Sequence, residues 1–356
     1  MIINNHEPRR GGRIRTPSPL NKSVVPLTTI CPPERSEGPA YLQCAPACDN
    51  IYDGVVSSAT AEVHCYAPPM RRIQFIELHE QSWFPSPLRD GLTDALQFGF
   101  NLCKVYAPVV PLLQSALAAT RSRVSSDQSN HMHSIVDLCS GGSGPWLDLS
   151  RRLKSGGTGR ETSTLQISLT DKYPNLRAFQ TIKVASEDRI TFYPGSVDAM
   201  KVPGDLKGLR TMFTSFHHFP PEEARAILQN AVAAGEGIGI FEVPRRAPWT
   251  IALVFPLVLL LFFCTPWIRP FRWSRLFWTF LVPIIPVALL FDGIVSCLRA
   301  YRPQELREMV AELTPREHQY QWQIGERAGA IPGAPITYLI GYPVGYLGYP
   351  VNDPVG

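Results

Sequence analysis

The amino-acid sequence predicts an α/β fold: a doubly wound, mostly parallel sheet with helices on both faces, interrupted by a hydrophobic two-helix hairpin. Three observations predict it. Between residues 135 and 242, short apolar runs of strand character alternate with amphipathic helical ones, the rhythm of parallel strands joined by crossover helices. The first of these runs ends in an acid and opens into a knot of small residues, "IVDLCSGGSGP". Two long apolar stretches then stand back to back, 247–268 without any charge and 276–298 with Asp292 alone.

The elements follow in order. Residues 1–70 are rich in Pro, Ser, Arg and Gly and lack sustained periodicity, which predicts disorder. The opening "MIINNHEPRRGGRIRTPSPLNKS" has basic residues but no apolar core, so a secretory leader is not expected. Residues 71–130 are expected to form a helical cap. Leu92, Leu96, Gly99, Leu102 and Cys103 recur at helical spacing, and Pro108 should break the run. A polar loop, "RSRVSSDQSN", leads into the core.

The core strands are expected in "SIVDL", "LQISLTD", "ITFYPGS", "LRTMFTSF" and "GIGIFEV", within 131–246. Helices are expected around Trp146–Leu153, in "PNLRAFQTIKVA" and after Pro220 and Pro221. Proline and the acids Glu222 and Glu223 suit the unpaired N–H groups and positive end of a helix start.

Residues 247–298 then break the pattern. Each half matches the ~20 residues that a bilayer-spanning helix requires. Arg269, Arg272 and Arg275 with Trp267, Trp273 and Trp278 are expected as interfacial anchors. Pro256, Pro283 and Pro286 should kink both helices, so two crossings and a shallow hairpin in one leaflet both remain open. Residues 299–343 return to globular sequence: an amphipathic helix, "RPQELREMVAEL", then two strands, "YQWQIGE" and "ITYLIGYP". Residues 344–356 read as a tail. The expected location is a membrane, with the catalytic domain on the cytoplasmic side and membrane lipids as partners.

Composition excludes some classes. The net charge is +4 and no basic stripe interleaves with aromatics, so no nucleic-acid partner is expected. The eight cysteines are scattered, without CxxC or zinc-finger spacing, which predicts free thiols and no metal. His79 with Glu77 and Glu80 in "FIELHEQSWFP" is the nearest approach to a metal set, but its spacing suits no standard motif. A solvated helix start is the plainer reading there. His131 and His133 are assigned to the loop entering the first strand.

The chemistry is expected at the glycine knot. Glycines let backbone approach a ligand, and an acid at a strand end can accept hydrogen bonds from ligand hydroxyls or an amino group. The dinucleotide pattern G-x-G-x-x-G is absent, because here the acid precedes the glycines. That order resembles the first motif of class I S-adenosylmethionine-dependent methyltransferases. The resemblance covers roughly residues 130–246 and 300–343. It implies a Rossmann-like seven-stranded sheet with an antiparallel final strand, and S-adenosyl-L-methionine as cofactor.

Cofactor contacts are implied for Asp137, Cys139, Ser140, Gly141, Gly142 and Gly144 in the first motif. Asp171 is implied to hold the ribose hydroxyls, with the insertion "KSGGTGRETST" accounting for its late position. In "GSVDAM", Ser196, Val197, Asp198 and Ala199 resemble the motif after the third strand, with Asp198 toward the adenine amino group. The family pattern is acid-x-Gly-x-Gly-x-Gly, and here Cys139 occupies the first glycine position and Ser143 lies near the third.

"FTSFHHF" resembles the fourth-strand segment of methyltransferases acting on quinones, sterols and other small lipophiles. One of His217 and His218 is the candidate catalytic base or acceptor-orienting group, and a helix-capping or packing role is the alternative. Glu242 either lines the pocket or ends the fifth strand. The implied activity is methyl transfer to a small lipophilic or membrane-resident acceptor. Two alternatives stay open: a protein or soluble-metabolite methyltransferase with the hairpin as anchor, and a methyltransferase-fold scaffold without activity.

Overall fold

The computed structural model describes residues 70–121, 134–155, 165–314 and 319–344. The expected disordered region (residues 1–69 of it), His131, His133, most of the 154–164 insertion and residues 345–356 of the tail lie outside them. The described residues belong to one compact unit, Cys65–Gly356.

Seven strands form one sheet: β1 Ser134–Asp137, β2 Gln166–Leu169, β3 Ile190–Phe192, β4 Leu209–Phe213, β5 Ile238–Glu242, β6 Tyr320–Arg327 and β7 Ile336–Pro343. Their order is β3-β2-β1-β4-β5-β7-β6. β1 to β5 pair in parallel, whereas β7 runs antiparallel to both β5 and β6. The expected mostly parallel sheet with one reversed strand is therefore present. The order reverses between β1 and β4, which opens a crevice at the carboxyl ends of the strands.

Helices cover both faces. On one side, α2 (Val110–Arg121), α3 (Trp146–Ser155) and α4 (Leu176–Ala185) bury Leu113, Trp146, Leu149 and Phe179 against the sheet. On the other, α5 (Pro221–Ala234) and α9 (Pro303–Ala311) contribute Ile227, Leu228, Leu306 and Met309. Asn175 caps α4 by accepting the Ala178 N–H at 3.2 Å. α5 begins on its expected prolines and ends at Gly235, in the left-handed conformation that a helix C-cap uses.

Gly208, entering β4, is a position with no room for a side chain. Its φ is +130°, and a Cβ there would lie 2.3 Å from the Ser134 carbonyl oxygen. Gly208→Ala should cost about 2 kcal/mol in strain, read as a lowered midpoint of denaturant unfolding. An unchanged midpoint would show that the β1–β4 edge relaxes freely.

A third core joins α1 (Ser86–Leu102) to the apolar segment: α6 (Pro248–Cys264), the short α7 (Trp273–Leu276) and α8 (Ile284–Arg299). Phe84, Leu88, Leu92 and Ala95 pack with Leu261, Ile268, Ile285 and Leu289. Gly91, Ala95 and Gly99 form a small-residue strip that lets the helices approach closely. A Cβ on Gly91 would meet Ile285 Cδ1 at 2.7 Å, and one on Gly99 would meet Leu261 Cδ2 at 3.0 Å. The helical cap is thus divided, α1 belonging with the apolar segment and α2 with the sheet.

The kink expected at Pro283 is present, and with it the second half departs from a straight bilayer-length helix. Among the described residues one helix, Pro248–Trp267, is long and apolar enough to cross a membrane, with mean hydropathy 2.2 over its best window. The second half is broken, its two parts meeting at 78° around Pro283, which cannot continue a helical hydrogen-bond ladder. Among the expected anchors, Arg275 differs. Arg275 is buried, binds Asp94 at 2.7 Å and donates to the Ile268 and Pro270 carbonyls. Arg272 pairs with Asp94 and Asp90. These two arginines tie the loop to α1, whereas Arg269, Trp267 and Trp273 of the same expected set are exposed.

Candidate functional site

The bend after β1 is held from both neighbouring strands. Asp137 is buried, and its carboxylate accepts hydrogen bonds from the Ser140 hydroxyl (2.6 Å) and the Thr211 hydroxyl of β4 (2.8 Å). Its carbonyl accepts the Thr170 N–H and hydroxyl, both at 2.8 Å. Asp137 therefore braces the bend from beneath, its oxygens engaged by protein groups.

Burial pushes the Asp137 carboxyl up to about 7, against the opposing hydrogen bonds from Ser140 and Thr211. Because the folded value lies above the unfolded one of ~3.9, this group's contribution to stability is full below pH ~4 and is lost as pH rises through about 7. Wild-type stability should consequently fall relative to Asp137→Asn between pH 5 and 7, by up to ~1.4 kcal/mol per pH unit. Parallel urea-stability profiles of the two proteins would contradict this.

Four residues of the bend, Cys139, Gly141, Ser143 and Gly144, have φ of 57°, 52°, 107° and 56°. Cys139 and Ser143 adopt a conformation that favours glycine, which stores strain in the turn. On one side α1 leans on it: Gln97 donates to the Ser143 hydroxyl at 2.7 Å, and a Cβ on Gly142 would meet Thr93 Cγ2 at 2.8 Å. On the other side a Cβ on Gly141 would meet nothing within 4 Å. The turn is thus supported behind and open in front.

The open side faces carboxylates. The Gly141 N–H donates to Asp171 Oδ2 at 2.8 Å, and the Tyr173 N–H to Oδ1 at 2.8 Å. Asp198 accepts the Met200 N–H (2.9 Å) and Lys172 Nζ (3.0 Å). Burial works against its charge, but these two donors hold its carboxyl below the usual range. Burial pushes the Cys139 thiol up, and Asp171, Asp137 and Asp198 push the same way. Cys139, Asp171 and Asp198 therefore share one electrostatic neighbourhood at the carboxyl edge.

Of the other residues of the "GSVDAM" motif, Val197 and Ala199 turn inward and Ser196 is exposed. Val197 and Ala199 belong to the core under α5, and the Ser196 hydroxyl donates to the Lys172 carbonyl at 2.7 Å. Sequence reasoning missed Lys172, Thr170, Thr211 and Gln97. Lys172 had a signal, since it adjoins Asp171.

The two histidines after β4 lie in a second cluster. His217 is buried with Nδ1 on Glu242 Oε2 at 2.6 Å and Nε2 3.5 Å from Glu77 Oε1. Burial opposes its charge, yet Glu242 and Glu77 push the imidazole up to about 9. It is a clamped cation at neutral pH. Glu242 also accepts the Ser215 (3.0 Å) and Phe216 (2.7 Å) N–H groups, which shapes the turn carrying the histidines.

His218 is partly exposed, and burial together with the charge of His217 holds it below the usual histidine range. Its ring packs edge-on against His79, with centroids 5.5 Å apart.

Glu77, His79 and Glu80 come from the segment before α1, and Asp292, Ser296 and Arg299 from α8. Asp292 accepts the Leu78 N–H (2.6 Å), the His79 N–H (3.2 Å) and a hydrogen bond from His79 Nδ1 (2.9 Å). Ser296 donates to Glu77 at 3.0 Å. Arg299 binds Glu80 at 2.9 Å and donates to the carbonyls of His217 and His218. Arg72 donates to the His217 (3.2 Å) and Phe219 (3.1 Å) carbonyls. Of the whole cluster, sequence reasoning singled out Glu77, His79, Glu80, His217, His218 and Glu242, but in separate groups.

No family model matches this chain, and no curated protein matches it. Solved structures with a similar chain path include the plantazolicin methyltransferase in complex with SAH, at 12% identity, TM-score 0.43, covering 74% of this chain and 93% of that one. A second is an O-methyltransferase from neocarzinostatin biosynthesis, in complex with S-adenosylmethionine and 2-hydroxy-5-methyl naphthoic acid. It shows 13% identity, TM-score 0.40 and coverage of 73% and 59%. A third is an O-methyltransferase family 2 protein from Planctomyces limnophilus in complex with apigenin, at 14% identity, TM-score 0.40, covering 75% and 68%. All three TM-scores lie below 0.5, and the fold of this chain stands on its own strand order and registers.

Proposed function

We propose that this chain is a class I S-adenosylmethionine-dependent methyltransferase whose acceptor is small and lipophilic, reached from a membrane surface. The observation that carries the reading is the bend after β1. Its front is open at Gly141, it lies at the carboxyl edge where the strand order reverses, and Asp171 and Asp198 flank it. A nucleoside fits this chemistry. Backbone can approach at Gly141, Asp171 has lone pairs left for ribose hydroxyls, and Asp198 can accept from an adenine amino group.

When bound, S-adenosylmethionine supplies an already activated methyl group, so the protein's part is largely positioning. In this reading His218, in the turn after β4, orients the acceptor, and the clamped His217, its ring centroid 4.3 Å away, positions His218. The membrane part of the reading rests on the surface of the apolar segment. Phe255, Leu259, Phe263, Trp267, Trp273 and Leu281 are all exposed on it, a cluster of large side chains that a water-facing surface rarely carries.

Three measurements test this. Calorimetry of the full-length chain with S-adenosylmethionine should show one site. Incubation of membranes with radiolabelled methyl donor should place label in the lipid-extractable fraction. A triple variant, Phe263→Ser, Trp267→Ser and Trp273→Ser, alters exposed side chains only and should release the protein from vesicles while keeping cofactor affinity. No cofactor binding would leave a scaffold. Label confined to protein or aqueous fractions, with turnover kept by the triple variant, would leave the segment an anchor.

A further inference from the structure

We propose that Glu77, His79 and His218 form a binding site for a divalent transition-metal ion of the zinc class. Among the described residues these three can offer donor atoms that all lie within 4.8 Å of one another. Glu77 Oε2 is 3.5 Å from His79 Nδ1 and 3.7 Å from His218 Nδ1. Metal bonds of ~2.0–2.1 Å in a tetrahedron set donor–donor edges of roughly 3.4 Å. The two measured edges are close to that, whereas they are too long for hydrogen bonds. Two imidazole nitrogens and a carboxylate oxygen are a donor set that zinc accepts.

Two further observations point to a cation. The first is a buried donor set crowded by carboxylates. His218 Nδ1 is shut off from solvent, in contact with a Glu80 oxygen and beside Glu77. Next to it, the buried His217 has an Nε2 without a hydrogen-bond partner, 3.5 Å from Glu77 Oε1. Buried polar atoms of this kind call for an occupant. The second is charge. The carboxylates of Glu77, Glu80, Glu242 and Asp292 meet here, and Arg299 is the guanidinium that contacts two of them. Four carboxylates against one guanidinium leave an excess of negative charge that a divalent ion reduces.

The surrounding groups suit a ligand shell. Asp292 keeps two backbone donors, the N–H groups of Leu78 and His79, so it stays in place if His79 Nδ1 turns to a metal. Arg299 and Ser296 hold the glutamates, which fixes the donors before an ion arrives. The site would join the segment before α1 to the turn after β4.

The test uses the full-length chain in detergent, stripped with a chelator and titrated with Co²⁺ and then Zn²⁺. One Co²⁺ per chain should give the visible bands of a tetrahedral nitrogen–oxygen site without a thiolate charge-transfer band. Zn²⁺ should displace it and raise the melting temperature. His79→Ala and His218→Ala should each weaken Zn²⁺ binding at least ~100-fold. His79→Asn, of more similar shape, guards against a folding defect, and its circular dichroism should match wild type. Absence of a stoichiometric site would overturn the proposal, as would thiolate bands or affinity unchanged in folded His79 and His218 variants, and the cluster would then be a hydrogen-bonded network only. The metal proposal does not depend on methyl transfer. S-adenosylmethionine calorimetry on the stripped protein reports on the other reading separately.

Discussion

Arg299→Met should lower the free energy of unfolding by about 3–5 kcal/mol, the largest effect expected of a single substitution here. Arg299 is 2% exposed, yet its guanidinium joins α8 to two other segments, the stretch before α1 and the turn after β4. It pairs with Glu80 at 2.9 Å, donates through Nε to the His217 carbonyl at 3.2 Å, and donates through Nη2 to the His218 carbonyl. Methionine fills much of the same volume, so the loss isolates polar contacts from packing. Two buried carbonyls would lose donors, and the negative charge at Glu77 and Glu80 would lose its guanidinium. Arg299→Lys should recover only part of the stability, because an ammonium cannot present the fork that reaches these acceptors together. Urea unfolding followed by tryptophan fluorescence measures both. A loss below about 1 kcal/mol for Arg299→Met would mean that the cluster re-forms around water.

The second large effect is expected at Asp171. Asp171→Ala should weaken S-adenosylmethionine binding at least ~100-fold, about 2.7 kcal/mol, while leaving the fold intact. A carboxylate that accepts charge-assisted hydrogen bonds contributes ~1.5–3 kcal/mol for each. Here it also fixes the Gly141 and Tyr173 N–H groups, at 2.8 Å each, so its removal loosens the turn as well as the ligand contact. Asp171→Asn keeps one acceptor oxygen and should fall between the two. Calorimetry gives the affinity, and near-wild-type melting separates the effect from unfolding. Binding preserved in Asp171→Ala would remove the nucleoside from this edge.

Much of the fold was legible because it rests on local patterns. β1 to β5 lie in the five segments whose apolar runs marked them, and α5 begins at its expected prolines. The glycine knot also read directly, since Gly141 is open in front and in a left-handed conformation. The apolar segment was misjudged in part. Twenty apolar residues look alike whether they face lipid or protein, and composition could not show that Gly91 and Gly99 of α1 admit Ile285 and Leu261. Asp292, one charge in an apolar run, turned out to face inward, onto the N–H groups of Leu78 and His79.

The sequence by itself determined the alternation of strands and helices, the bend after β1 and the two acids that follow it, because each depends on neighbours a few residues away and on the periods of backbone geometry. Only the tertiary structure decided that Glu77, His79, His218, Glu242 and Arg299 meet. Arg299 and Glu80 alone are 219 residues apart in the chain. Such a meeting has no local signature: it is set by how α1, α8 and the sheet pack, and buried charges must then find partners wherever the packing brings them.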